Sequence, residues 1–261
     1  MFRIFGLPIA SLSLAQTLEC LRGFIASGQK HLVVTANPEI LTYAHHHPSY
    51  AKVLKKASLL LPDGAGVVLA SCLSGQPIFS GRVTGVELVR RLIKESPDYS
   101  YTLFLAGSAN KSILDKTTQY FSLLYGKINI VGVDSGPTFS KNAKFPLNSV
   151  ANDQLLANIE KTKPDILLVA FGHPKQELWL DYYLPKLPVH VGIGVGGSFD
   201  YFAGVESRAP GFLRAMGLEW LWRLLLSPKL RFKRIFTAVV EFPLLLIGDV
   251  LRQMFHVEHF K

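Results

Sequence analysis

Six short apolar runs punctuate the chain: HLVVTA at 31–36, SLLLP at 58–62, YTLFLAG at 101–107, INIVGV at 128–133, DILLVAFG at 165–172 and VHVGIGV at 189–195. Their length and their lack of polar alternation mark strands covered on both faces, as in a parallel sheet. Between them lie longer stretches with helical spacing, at 13–26, 38–56, 65–73, 84–95, 109–125, 152–161 and 174–184. Ser13 and Gln16 make an S-x-x-Q capping box for the first of these, and Pro48 is expected to break the second. Strand and helix alternate throughout, which predicts one doubly wound, Rossmann-like α/β unit with a mainly parallel sheet and right-handed crossovers. The stretch 136–151, GPTFSKNAKFPLNSVA, has neither period and reads as a loop.

Sheets of this kind bind ligands beyond the carboxyl ends of their strands, so the residues just after each run carry the candidate chemistry. The run at 31–36 leads through Thr35 to Asn37, a hydroxyl and a carboxamide that can cap the next helix and still face a pocket. The run at 58–62 leads into Asp63-Gly64-Ala65-Gly66, a lone carboxylate followed by small residues. That carboxylate is either a helix cap or a general base for an attacking hydroxyl. Arg82, just before the helix at 84–95, has the planar fork that clamps phosphate oxygens, with a surface ion pair as the plainer reading. The run at 165–172 ends in Gly172-His173-Pro174-Lys175-Gln176-Glu177, whose polar side chains are expected at the same rim. His173, a lone histidine beside a proline, reads as a surface residue.

The stretch VGIGVGGSFDYFAG, 191–204, contains G-x-G-x-x-G in Gly192, Gly194 and Gly197. A dinucleotide fingerprint needs that turn to open a long crossover helix, with an acid about 20 residues on at a strand end. Here the segment between Gly197 and Gly204 is too short for such a helix, and the acid at the right distance, Glu219, lies in a Trp-Leu-Trp segment. A glycine pair at a strand end still lets backbone come close to a ligand, with Asp200 as a polar group at the rim. A nicotinamide-dependent oxidoreductase stays only as an alternative. The triplet His45-His46-His47 sits on a helix, where neighbours point about 100° apart and cannot share one metal. H-V-E-H at 256–259 lacks the i, i+4 histidine pair of a metalloprotease helix, and no D-x-D occurs. Neither a metal nor a cofactor is expected, and arginines with backbone N–H groups would meet any diphosphate.

From about 217 the pattern changes to GLEWLWRLLLSPKLRFKRIFTAVVEFPLLLIGDVLRQMF, where Leu, Trp and Phe interleave with Arg and Lys and Pro228 divides two helices. The chain carries a formal net charge of +9, and residues 208–234 concentrate it: Arg208, Arg214, Arg223, Lys229, Arg231, Lys233 and Arg234 stand against the single acid Glu219. Basic residues flanking an apolar, aromatic run compose an interfacial segment that lies on a membrane of anionic lipid without crossing it. The plainer reading is a helix pair packed on the sheet. Residues 235–250 come closest to a spanning helix, but Glu241, Pro243 and Asp249 interrupt them. Nucleic acid is not the expected partner, because no binding motif accompanies the charge. Hydrophobic residues make up 49% of the chain against 18% charged, with mean hydropathy +0.25, so a large buried core or lipid contact is expected. Two cysteines without C-x-x-C spacing fit a reducing compartment, and the N-terminal segment does not read as a signal peptide. The expected division is an α/β domain over 1–210 and a C-terminal helical appendage over 211–261.

Taken together, TANPEIL (35–41), PDGAGVVLA (62–70), GRVTGVELV (81–89), PDILLVAFGHPKQELWL (164–180), GVGGSFDYFAGVESRAP (194–210) and GLEWLWRLLLSPKLRFKRI (217–235) resemble the WecG/TagA/CpsF glycosyltransferases, family 26, in the family's own order. The resemblance implies an inverting, metal-independent enzyme that moves a sugar from a UDP-sugar to an undecaprenyl-diphosphate-linked saccharide at the cytoplasmic face of the membrane. Its members make teichoic acid, enterobacterial common antigen, capsule or exopolysaccharide, often with N-acetylmannosamine-type sugars. By the same resemblance Asp63 matches the proposed catalytic base, Arg82 offsets charge on departing UDP, and Thr35, Asn37 and Gln176 match pocket positions. Asp200 matches a position near the nucleotide, and Arg208 is a further contact. Gly64, Gly172, Gly194, Gly196 and Gly197 are the small positions of these motifs and complete the expected substrate pocket. Arg223, Arg231 and Arg234 correspond to appendage arginines thought to close over the site at the membrane. Many members have G-Y-F where this chain reads Gly136-Pro137-Thr138, so an aromatic nucleotide contact is missing. A non-catalytic membrane-binding module is the remaining alternative. Monomer and homo-oligomer, the sugar transferred and the role of 236–261 stay open.

Overall fold

The computed structural model describes residues 2–73, 81–108, 110–140 and 144–257, with backbone alone at 214, 215, 223, 230 and 251–257. The side chain of Arg223, an expected diphosphate contact, lies outside the described residues, as does the end of the H-V-E-H run. Six parallel strands form the central sheet: β3 (His31–Ala36), β4 (Leu59–Pro62), β5 (Leu103–Gly107), β6 (Ile130–Asp134), β7 (Ile166–Ala170) and β8 (Val191–Gly194). Their spatial order is β4-β3-β8-β7-β5-β6. The last strand in the chain is therefore inserted at the centre, between β3 and β7. The α/β class and the mainly parallel sheet agree with the sequence pattern.

The helices are α1 (Leu14–Ala26), α2 (Pro38–His46), α3 (Pro48–Lys56), α4 (Ala65–Leu73), α5 (Gly85–Glu95), α6 (Lys111–Tyr125), α7 (Val150–Thr162), α8 (Lys175–Tyr183) and the single turn α9 (Ser198–Phe202). Then follow α10 (Gly211–Ala215), α11 (Glu219–Leu226), α12 (Pro228–Phe236) and α13 (Phe242–Val257), the last two joined by a π-helical turn at Thr237–Glu241. Caps explain several boundaries. Ser13 and Gln16 close both halves of the capping box of α1. Asn37 and Thr84 accept from Ile40 and Glu87 N–H at the starts of α2 and α5. Prolines open α3 and α12, where the missing N–H costs nothing.

An N-terminal hairpin, β1 (Phe2–Ile4) with β2 (Leu7–Ile9), has no counterpart in the sequence reading. Its strands are three residues long, too short for any period to register. Phe5 and Gly6 both have positive φ, as a primed two-residue turn requires. Ala10 N–H donates to Leu60 O at 2.8 Å and holds the hairpin beside β4.

Alternate residues of each strand feed two cores. Val34, Ala36, Leu60, Phe104, Leu167 and Val169 face α2, α3, α7 and α8, while Val33, Leu61, Leu105, Leu168, Val191 and Ile193 face α1, α5, α6 and α9. Each such buried Val, Leu or Ile contributes about 1.5–3 kcal/mol of transfer free energy. β8 departs from this pattern because Gly192 and Gly194 put no side chain on the α8 face. A Cβ at 192 would stand 2.7 Å from Leu180 Cδ2, and one at 194 would stand 2.7 Å from Gln176 Nε2. These two glycines let α8 lie close against the middle of the sheet, and α9 is only five residues long. The G-x-G-x-x-G run therefore serves helix packing and does not open a crossover helix, so a dinucleotide fingerprint is not what it forms.

The C-terminal helices return to the same body. Phe242 and Leu246 of α13 are buried in the α2–α3–α8 core, and the Phe5 ring packs edge-on against Phe242 at 5.9 Å. Other apolar side chains of this region stay in solvent, among them Leu225 at 70%, Phe212 and Phe232 at 65% and Leu244 at 64% exposure. Among the described residues no helix is long and apolar enough to cross a membrane.

Candidate active site

The carboxyl ends of four neighbouring strands, β4, β3, β8 and β7, open into one cavity of about 200 Å³. β3 supplies Thr35 and Asn37, β4 supplies Asp63, and β7 runs into Gly172, His173 and Gln176. β8 supplies Val195, Gly196 and Gly197, with Asp200 and Tyr201 from α9. Arg208, Arg231 and Arg234 enter from the C-terminal side. Segments separated by more than a hundred residues thus converge on one rim, as they do at the crevice of open α/β sheets.

Each side chain has a local reason for its place. Thr35 Oγ1 donates to Gly194 O at 3.0 Å, tying the end of β3 to β8. Asp63 N–H donates to Ala36 O at 2.9 Å, and Asp63 Oδ2 accepts from Gly85 N–H at 3.4 Å, so the carboxylate is held between β3 and the first turn of α5. Gln176 is 1% exposed, and its Oε1 accepts from Gly196 N–H at 3.1 Å. That bond pins the turn after β8, where Gly196 has φ +54°, a left-handed conformation costly for any residue with a Cβ. Burial pushes the Asp200 carboxyl up from its ordinary range, Glu206 adds to this, and Arg231 opposes it.

The arginines arrive paired. Arg234 donates from Nε and a terminal nitrogen to the two Glu39 oxygens at 2.7 and 2.8 Å, a bidentate clamp between α12 and the first turn of α2. Arg231 pairs with Glu206, and Arg208 Nη1 lies 3.8 Å from Glu87. With His46 Nε2 2.8 Å from Glu241, these contacts dock the C-terminal helices beside the cavity mouth.

Most sequence-predicted site residues line the cavity: Thr35, Asn37, Asp63, Gly172, Gln176, Gly196, Gly197, Asp200, Arg208, Arg231 and Arg234. Gly64, Gly194 and Arg82 stand outside the lining. Gly194 lies behind it as the packing contact of Gln176, and Arg82 is half-buried in the segment that leads to Thr84. His173 is a correction: its side chain is 17% exposed, it lines the cavity, and its Nε2 lies 3.3 Å from Glu39 Oε1. The helix-initiating turn that places Gln176 inward carries His173 in with it. Burial lowers the His173 pKa, Glu39 raises it, and Arg234 and Lys175 lower it further. The three adjacent histidines diverge as helix geometry requires: His45 packs on Phe5, His46 meets Glu241, and His47 stacks on Tyr43.

Tyr201, Glu206 and Glu219 also line the cavity, and Glu39 organises it from behind. Nothing in the sequence singled them out as site residues. Glu39 looks like an ordinary first-turn acid, and its partner lies 195 residues away.

With this geometry in hand, the likeness to known proteins becomes specific. The profile of the "Glycosyl transferase WecG/TagA/CpsF family" matches residues 2–256. The chain belongs to this family. It is a glycosyltransferase. One relative, from Bacillus spizizenii (strain W23), is 36% identical over 196 residues, covering 75% of this chain and 71% of the relative. It is named N-acetylglucosaminyldiphosphoundecaprenol N-acetyl-beta-D-mannosaminyltransferase. A relative of the same name from Staphylococcus aureus (strain MRSA252) is 32% identical over 228 residues, 87% of this chain and 85% of its own length.

Proposed function

We propose that this glycosyltransferase moves an N-acetylmannosamine-type sugar from UDP to a saccharide carried on undecaprenyl diphosphate, in bacterial envelope polysaccharide synthesis. One observation carries the reading: a single cavity gathers the Asp63 carboxylate, the Gly196-Gly197 turn with Asp200, and arginines of the C-terminal helices. The names of the two relatives supply the acceptor and sugar class.

In the proposed reaction the acceptor hydroxyl lies against Asp63, which takes its proton as the oxygen attacks the anomeric carbon. The new C–O bond forms as the bond from that carbon to the diphosphate oxygen breaks, and UDP leaves with the electron pair. A single displacement of this kind inverts the anomeric centre. The leaving diphosphate is met by arginine guanidinium groups and by the Gly197 N–H of the turn after β8, positive charge and a donor that need no metal in the proposed step. Arg231 and Arg234 serve here by exchanging Glu206 and Glu39 for phosphate oxygens, and Arg223 and Arg82 join them on the strength of the family resemblance. Thr35, Asn37 and Gly172 shape the walls. Tyr201 offers the nucleotide an aromatic ring in place of the one that Gly136-Pro137-Thr138 lacks.

Residues 211–261 act in this reading as the appendage that rests on anionic lipid at the inner face of the membrane. Exposed Leu225, Phe232 and Leu244 enter the head-group layer while Lys229 and Lys233 meet phosphate. The deciding experiment incubates the full-length protein with mixed UDP-sugars and lipid-linked N-acetylglucosamine and weighs the lipid product by mass spectrometry. A mass increase of one N-acetylhexosamine with release of UDP is expected. An unchanged lipid across the whole panel would refute the proposal.

A further inference from the structure

Glu177 is the one acidic or basic side chain that is fully enclosed among the described residues, with 0% exposure. It lies one residue past Gln176, on the face of α8 turned to the sheet, beneath the glycines of β8. Its Oε1 accepts from Gln176 Nε2 at 2.7 Å, and Gln176 Oε1 in turn accepts from Gly196 N–H at 3.1 Å. A Cβ at Gly194 would stand 3.1 Å from Glu177 Oε1, so the missing side chain there makes the room this pair occupies. Glu177 Oε2 and the Tyr50 hydroxyl of α3 are both buried without a hydrogen bond of ordinary geometry, and Glu177 lies near enough to add to the burial that pushes the Tyr50 phenol up.

We propose that Glu177 is a positioning residue: its carboxyl fixes which way the Gln176 carboxamide points, so that Gln176 Oε1 holds Gly196 N–H and with it the turn that seats the donor diphosphate. A carboxamide has a donor end and an acceptor end, and in isolation nothing selects between them. Whether the carboxyl is ionised or carries a proton on its other oxygen, Oε1 is an acceptor, so it takes the amide's N–H₂ and turns the amide oxygen to Gly196. Burial pushes the Glu177 carboxyl up, and the hydrogen bond from Gln176 is the first of the contacts that pull it down. Tyr50 of α3 is the titratable group that acts on it from a packed element, and Tyr43 of α2 acts on Tyr50 in turn.

The inference rests on the donor-site reading of the Gly196 turn, but one of its tests does not. In the full-length protein, Glu177→Gln reproduces the neutral acid, with an oxygen for Gln176 and an N–H₂ for Tyr50, whereas Glu177→Leu removes both. Hydrogen exchange of the Gly196 amide should quicken about tenfold or more in Glu177→Leu and stay near wild type in Glu177→Gln, as expected for one lost buried hydrogen bond. UDP affinity, measured by calorimetry, should follow the same order. Exchange in Glu177→Gln as fast as in Glu177→Leu, or about tenfold faster than in the wild type where the leucine variant does not fold, would overturn the proposal. Normal Gly196 protection with no UDP binding by the wild type would uphold the positioning role and overturn the donor-site reading alone.

Discussion

Replacing Asp63 by asparagine separates catalysis from architecture in one atom. The side chain keeps its volume, and an oxygen remains to accept from Gly85 N–H, a bond already long at 3.4 Å. The backbone link from Asp63 N–H to Ala36 O is untouched. The structural cost should therefore stay within about 1 kcal/mol, a fall of roughly 3 °C in Tm for a chain of this size. What disappears is the basic oxygen. A positioned general base supplies about 10²–10⁴ in rate, so kcat should drop by that factor, equivalent to about 3–5 kcal/mol in activation free energy. UDP affinity should hold or tighten slightly, because a negative charge leaves a cavity built to take an anion. Turnover is read from the lipid product and from released UDP under saturating donor, with calorimetry for UDP and a thermal melt for the fold. A variant that melts normally, binds UDP and turns over within threefold of wild type would remove Asp63 from the proton transfer.

Three further outcomes are expected. Gly194→Ala sets a methyl 2.7 Å from Gln176 Nε2 and 3.1 Å from Glu177 Oε1. It should destabilise the protein by about 1–3 kcal/mol and weaken UDP binding more than kcat, checked by urea unfolding and calorimetry. His173 has a folded-state pKa below its unfolded value, so the unfolded chain binds the extra proton. Its neutral form costs nothing above the unfolded value near 6.5, and stability is lost as pH falls from there toward the folded value. Melting curves between pH 7 and 5 should show a smaller acid-side loss in His173→Gln, and an identical slope in both proteins would refute this. Lys229 and Lys233 are exposed on α12, and reversing both to glutamate should weaken sedimentation with anionic vesicles by at least tenfold, at about 1 kcal/mol per basic residue lost. Binding to neutral vesicles should change far less.

Local periodicity carried most of the architecture, because a strand covered on both faces must be apolar at every position and a capped helix must show its caps. The runs ending in Ala36, Pro62, Ala170 and Gly194 announced themselves this way, as did the breaks at Pro48 and Pro228. The site was legible where polar residues followed such a run, directly at Asn37 and Asp63 and one turn or loop further on at Gln176 and Asp200. The β1–β2 hairpin was not legible, since its strands span too few residues to show a period.

Partnerships across the chain were decided elsewhere. Placing β8 between β3 and β7 depends on which side each crossover packs, and from that placement follow the closeness of α8 and the need for Gly192 and Gly194. The inward turn of His173, the Arg234–Glu39 clamp and the enclosure of Glu177 follow in the same way. An acid or an imidazole looks the same in a sequence whether water or apolar side chains surround it. Its charge, its proton and its role are set by neighbours that only the folded chain brings within reach.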